Sequence, residues 1–372
     1  MATAAIGKGV RPSGQRVTSP PRQRGRLDGL QVLRGAAASY VLLFHLAMAS
    51  GFDAISPAIA SVARWGFSGV DLFFVLSGFV IWHGTHDAVG PGTARRFLLR
   101  RLARIYLGYW PMLAVAVIMF AILAPQVLSD ANLAGSFFLM EPHDRRLLIS
   151  VSWSLTFELY FYGAFAMLLL VGRGWRLLIV VVVFLAVIAT NLALLAWFPG
   201  ELDGSATEGW FFLSPFVAEF CGGALVAASW HAAWFPRRRD WFAVAGVAAL
   251  LLGVWTGVHD GALPTHQIQR LGSFGLAAAG LLMVGVTVEE RIRWPRWSVA
   301  LGNQSYALYL GHPLVMSLLT ITGIFPLGTG AFSGWLIVGL AVASTVWITA
   351  LYSRRVDYSA YRWACRRIDP SD

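Results

Sequence analysis

The chain has 372 residues, 57% of them apolar and only 13% charged, with a mean hydropathy of +0.63 and a formal net charge of +10. A soluble domain carries about 25% charged residues, so composition excludes an ordinary soluble fold. The basic residues fall in short clusters between apolar runs, which points to membrane topology rather than to nucleic-acid binding, and two cysteines, Cys221 and Cys365, give no disulfide framework.

Residues 1–26, "MATAAIGKGVRPSGQRVTSPPRQRGR", are rich in Pro, Gly, Ser and Arg and read as a disordered basic cytoplasmic tail. No short apolar stretch with a small-residue cleavage site follows the start, so no cleaved signal peptide is expected. A membrane span needs about 20 mostly apolar residues. Ten stretches qualify, near 30–50, 66–84, 105–124, 154–172, 177–198, 210–230, 241–258, 271–288, 301–321 and 333–352. With the N-terminus in the cytoplasm, 24 of the 29 basic residues fall on the inner side and four, Arg64, Arg145, Arg146 and Arg270, fall outside. Such a bias is the positive-inside rule, and the predicted fold is an all-α polytopic membrane protein of about ten transmembrane helices with both termini cytoplasmic.

The first span, "LRGAAASYVLLFHL", carries Arg34 and His45. Eleven residues at about 100° each make three turns plus about 20°, so both side chains share one helix face, about 16 Å apart along the axis. Ionisable groups at membrane depth are costly, by about 2.5–3.5 kcal/mol on insertion scales, and count as functional candidates. Arg34 lies near the cytoplasmic surface and His45 in the outer half. The second span, in "GFSGVDLFFVLSGF", begins with Asp71 at a depth similar to that of His45. A carboxylate there would orient the imidazole and raise its basicity. In the third span's inner end, "RRFLLRRLARIYLGYW", Arg101 and Arg104 are three apart on one face and suit bidentate phosphate binding, although a plain positive-inside anchor has the same appearance. Glu158, in "SVSWSLTFELYFY", starts its span near the outer side and is expected to join His45 and Asp71 at one level. Such a cluster in low dielectric is suited to acid–base work. Glu219, in "AEFCGG", reads as structural. His312 is the remaining imidazole inside a span; His83, His86, His143, His231, His259 and His266 lie in loops or at interfaces, with no metal-ligand spacing.

These residues resemble the acyltransferase-3 family of membrane O-acyltransferases, which modify cell-surface polysaccharides, lipid-linked sugars and some secondary metabolites. The family's first helix carries Arg, ten residues, then His, here Arg34 and His45. "GFSGVDLFFVLSGFVIW" (66–82), the Arg-x-x-Arg of Arg101 and Arg104, "SWSLTFE" (152–158) and "LGNQSYALYLGHPLV" (301–315) match its further motifs in order. Two departures stand out. Leu107 occupies a position where the family often has Pro, and "RRVDYSAY" offers Asp357 without Pro where the last helix commonly ends in Glu-Arg/Lys-Pro. The resemblance implies a transmembrane acyltransferase domain over 27–358 and a cytoplasmic tail over 359–372. Some relatives append an extracytoplasmic esterase-like domain; none is expected in this sequence, which leans towards the exopolysaccharide- or O-antigen-modifying type.

The resemblance further implies acyl transfer from a cytoplasmic acyl-CoA, most often acetyl-CoA, to a hydroxyl of a cell-surface or lipid-linked glycan, in the cell (inner or plasma) membrane. The acyl-CoA is a co-substrate and no permanently bound cofactor is expected; the other partners are the glycan acceptor and membrane lipid, with no nucleic acid. Arg34, Arg101 and Arg104 would hold the donor's phosphates. His45, with Asp71 and Glu158, would form the catalytic set, His45 acting either as general base or as a transient acyl carrier. Trp153, Ser154, Tyr309 and His312 would line the acceptor side, where Trp and Tyr can stack on sugar rings. A competing class is a transporter or flippase whose buried charges form a substrate path; no paired, helix-broken halves are visible. A polyprenyl-phosphate glycosyltransferase would need clustered outer acids, for which Glu201, Asp203 and Glu208 come without a supporting pattern.

Overall fold

The computed structural model describes residues 27–50, 56–141, 146–197, 211–232, 239–259, 267–289, 291–325 and 331–369; the tail over 1–26, with Glu201, Asp203, Glu208, His143 and His266, lies outside them. All regular structure among the described residues is helical. The helices are α1 (Asp28–Ser50), α2 (Pro57–Ala63), α3 (Gly69–Thr85), α4 (Pro91–Leu123), α5 (Pro125–Asp130), α6 (Leu133–Phe138), α7 (Trp153–Leu168), α8 (Arg173–Trp197) and α9 (Pro215–His231). They continue with α10 (Arg239–His259), α11 (Gln267–Arg270), α12 (Leu276–Val288), α13 (Arg296–Asn303), α14 (Ser305–Ile321), α15 (Ala331–Tyr352) and α16 (Tyr358–Ile368).

Among the described residues, eight helical segments are long and apolar enough to cross a membrane. The two remaining predicted spans form α7 and α14, of 16 and 17 residues. Both are shorter than a free-standing span needs, and both are inner helices: Tyr306 to His312 of α14 are all buried. Leu177, Leu178, Val182 and Leu185 on α8, with Leu251, Leu252 and Trp255 on α10, instead face outward, an apolar exterior suited to lipid.

The small residues of "GAAAS" make α1 the central rod. Ala37, Ala38, Val41, Leu42 and Leu46 are at most 2% exposed, because α3 and α14 close on it from two sides. Small side chains permit such close helix packing in membranes. Gly302 of α13 sits on the Gln31 carbonyl of α1, where any Cβ would overlap backbone. The N-terminus of α1 is capped from far away in sequence: Glu289 accepts from the Asp28 N–H (3.0 Å) and the Gly29 N–H (2.6 Å). A carboxylate there satisfies two orphan donors and complements the helix dipole, so the depth of Arg34 is fixed. A second close crossing joins α3 and α9, where Gly78 abuts the Phe220 carbonyl and Gly223 abuts that of Val75.

One stretch differs from the sequence expectation. The connection after α4, expected as an outer loop, folds back along that helix. Tyr106 donates to the Phe138 carbonyl (2.8 Å), Tyr109 to that of Ser136 (2.8 Å) and Trp110 to that of Phe137 (3.1 Å). Those side chains start 13 to 17 residues before Leu123, so the connection returns by about 20–25 Å. The segment expected as a tail, 359–372, has structure of its own. Its residues up to Ile368 belong to helix α16, which packs on α4 and is tied down where Arg100 and Arg96 (3.6 Å) meet Asp369.

Candidate active site

Three cavities lie in series through the bundle. The first, of about 660 Å³, is a vestibule walled by Asn303, Gln304, Arg354, Asp357 and Tyr358. Arg34, Arg104 and Tyr361 line both this vestibule and a second cavity of about 240 Å³, which also holds Arg101, Ser77, Glu158, Tyr162 and Tyr306. Val70 and Tyr309 in turn line both the second cavity and a third, of about 170 Å³, that contains His45, Trp153 and Arg270. Arg34 and His45 thus stand at successive stations along one face of α1.

The central cavity gathers the three expected arginines from α1 and α4. Arg104 is ion-paired with Asp357, which sits on a π-helical turn, Ser353–Asp357, between α15 and α16. Its guanidinium also lies over the rings of Tyr306 (4.7 Å) and Tyr361 (5.7 Å). Arg101 lies over Phe97 and Tyr162, at 5.6 Å from each. Glu158, expected beside His45, is instead with the arginines. It accepts from Ser77 Oγ (3.0 Å) and acts electrostatically on Arg34. The reason is helical: Glu158 lies five residues, about 7.5 Å, beyond Trp153 at the start of α7, and that rise carries it from the third cavity into the second. Three guanidinium groups therefore face two carboxylates, an imbalance that favours an anionic guest.

Asp71 also departs from expectation. It is fully buried, but its partner is Arg270 rather than His45: Arg270 Nε and Nη2 each donate to it at 2.8 Å. Gly69 is the residue of α3 that abuts the Ala37 carbonyl of α1, and Asp71, two residues and about 200° further round the helix, meets Arg270 of α11 instead. The orienting group at His45 is His312, which is 0% exposed. Nδ1 of His312 lies 3.1 Å from the Leu308 carbonyl, which can only accept, so Nδ1 carries the proton and Nε2 is an acceptor. That Nε2 is 3.2 Å from His45 Nδ1, which is itself 3.0 Å from the Val41 carbonyl. His45 Nδ1–H therefore donates to both, and the basic lone pair of His45 is on Nε2. His312, expected to contact the acceptor, stands behind the imidazole instead.

Tyr309 donates to the Val151 carbonyl (3.0 Å) and lies 2.9 Å from Ser154 Oγ, which donates to the same carbonyl at 3.1 Å. These two side chains are internally satisfied, and Tyr309 forms with Val70 the neck between the second and third cavities. Trp153 reaches the His45 cavity and packs against Phe216 at 5.4 Å. Sequence reasoning missed Arg270, Tyr306 and Tyr361. Arg270 directly precedes the predicted span at 271, so it read as an outer-loop charge; Tyr361 belonged to the presumed tail.

The acyltransferase domain family matches residues 27–354. Among curated proteins, the chain is similar to the exopolysaccharide production protein ExoZ of Rhizobium meliloti, at 27% identity over 80% of this chain and 87% of that protein. It is 29% identical to the acyltransferase MdmB of Streptomyces mycarofaciens, over 80% of each chain. It is 24% identical to the peptidoglycan O-acetyltransferase OatA of Listeria monocytogenes over 79% of this chain, which spans 49% of OatA's length. No solved structure matches the chain significantly. With a helical bundle fit to cross a membrane, an arginine-lined cavity leading to a histidine, and a family match over most of its length, the chain belongs to the acyltransferase-3 family of membrane O-acyltransferases.

Proposed function

We propose that this chain transfers an acyl group, acetyl in the first instance, from coenzyme A on the cytoplasmic side of the cell (inner or plasma) membrane to a hydroxyl of a cell-surface or lipid-linked glycan on the other side. The topology in this reading is ten spans with both termini inside. The observation that carries it is the serial order of the cavities: cations at the vestibule and middle, an oriented imidazole at the far end. Similarity to ExoZ and OatA, an exopolysaccharide production protein and a peptidoglycan O-acetyltransferase, supports a glycan acceptor.

Arg34, Arg101 and Arg104 hold the phosphates of the donor, since a guanidinium matches phosphate oxygens in a fork. The thioester arm extends past the Tyr309–Val70 neck into the His45 cavity. His45 Nε2 takes the proton of the attacking hydroxyl as the ester C–O bond forms; the C–S bond then breaks and the proton passes to the departing thiolate. Glu158 restrains Arg34, and Trp153 offers a face to a sugar ring.

The test uses everted membrane vesicles, which expose the cytoplasmic face, from a deletion strain of the source cell complemented with the gene. Acetyl-CoA labelled in the acetyl group is added from outside the vesicles and label is followed into the glycan. Wild-type protein is expected to transfer the label and His45→Ala to abolish transfer at equal protein level. Glycan translocation with unconsumed thioester would instead make the chain a flippase, and full activity of His45→Ala would remove the imidazole from the mechanism.

A further inference from the structure

An acyl transfer places a negative charge on the former carbonyl oxygen in its tetrahedral intermediate, and donors aimed at that oxygen supply a large part of the rate. Tyr309 lines the His45 cavity, but its hydroxyl proton is committed to the Val151 carbonyl. Arg270 is the lining residue with a permanent positive charge. Its guanidinium is fixed on three sides. Nε and Nη2 grip Asp71 at 2.8 Å each, and its carbon lies 4.8 Å from the Phe67 ring centre and 5.1 Å from that of Phe216. Nη2 also reaches the Phe67 carbonyl at 3.4 Å. Nη1, with its two N–H groups, takes no part in these bonds. A π-helical turn, Leu271–Gly275, follows immediately, the kind of local irregularity that collects at functional positions.

The charge balance says what such a group is for. Asp71 already offsets the guanidinium, and a second carboxylate, Glu219, is buried beside the pair at 2% exposure. A resting anion, such as a carboxylated sugar, would meet a guanidinium whose charge Asp71 already neutralises. A short-lived oxyanion needs only a donor held in place at close range, which costs no reorganisation at the moment of reaction. The geometry points to Arg270 as the oxyanion-stabilising residue of the transfer site, donating through Nη1 to the acyl oxygen while His45 handles the hydroxyl proton. Asp71 is its positioning residue. The oxygen gains charge as the C–O bond forms and loses it when the C–S bond breaks, so Arg270 exchanges no proton. This inference rests on the reading of the His45 cavity as the place of transfer.

The experiment compares wild type, His45→Ala, Arg270→Lys and the double variant Asp71→Asn with Arg270→Gln in the same everted vesicles, with acetyl-CoA as donor and the resident glycan as acceptor. The double variant removes both charges and keeps two amides of similar size, so the site is not left with a lone buried carboxylate at position 71. Its maximal rate is expected to fall about 100- to 1,000-fold, with the KM for acetyl-CoA and the amount of membrane-inserted protein within about threefold of wild type. Arg270→Lys, which keeps the charge but loses the fork, is expected to lose at least about 10-fold in maximal rate and serves as the deciding variant if the double one is absent from the membrane. A maximal rate within threefold of wild type in the deciding variant, or a loss that appears wholly in KM, overturns the role. Full activity of His45→Ala overturns the transfer-site reading itself, a result separable from the Arg270 outcome.

Discussion

His312→Ala tests the orientation of the imidazole. The substitution removes the acceptor 3.2 Å from His45 Nδ1 but leaves the Val41 carbonyl at 3.0 Å. The tautomer therefore survives and the hydrogen bond to His312 is lost. A net hydrogen bond is worth about 0.5–1.5 kcal/mol, and about 1.4 kcal/mol is tenfold in rate. The maximal rate of transfer should fall about 2- to 13-fold, far short of the abolition expected for His45→Ala. The KM for acetyl-CoA should stay put, because His312 lines neither the vestibule nor the arginine cavity. His312→Gln, whose amide oxygen can accept, should recover part of the loss. Initial rates in everted vesicles, normalised to protein by immunoblot, read all three values. A fall beyond about 1,000-fold would mean that His312 itself moves the proton, and an unchanged rate would mean that the pair is incidental; either refutes the two-acceptor account.

Arg34→Ala should raise the KM for acetyl-CoA about 10- to 150-fold, from the loss of a charged hydrogen bond of about 1.5–3 kcal/mol, while acceptor dependence moves little; the reverse pattern would assign Arg34 to the acceptor. Single cysteines at the exposed positions 95 and 129, in a background with Cys221 and Cys365 replaced, should react with an impermeant maleimide from the cytosol and from the outside respectively, and an exchange of sides would overturn the proposed orientation.

The all-helical, membrane-type fold was legible because its long helices are apolar runs flanked by arginine clusters, and the shared face of Arg34 and His45 because helical periodicity alone fixes it. The partners of Asp71 and Glu158 were not legible. Depth along a helix can be counted from sequence, but the rotation of one helix against another is set by contacts such as the Gly78–Gly223 crossing, which have no local signature. Arg270 illustrates a boundary effect: one residue before an apolar run, it has the pattern of a loop charge, and only the burial of Asp71 opposite explains why it turns inward. The fold-back of α5 and α6 depends on Tyr106, Tyr109 and Trp110 offering hydroxyls and an indole N–H to carbonyls, whereas in sequence they resemble an interfacial aromatic belt.

The rod that carries Arg34 and His45 is continuous, capped at its base by Glu289 and gripped along its length. Two points on a straight helix cannot slide towards each other, so α1 works as a ruler. In the proposed reading, a donor must hold its anchoring phosphate and its reactive carbonyl about 16 Å apart. Acetyl phosphate, in which the two groups are adjacent, is too short to be grasped at one mark and consumed at the other, and the selection is made by length before any chemistry begins.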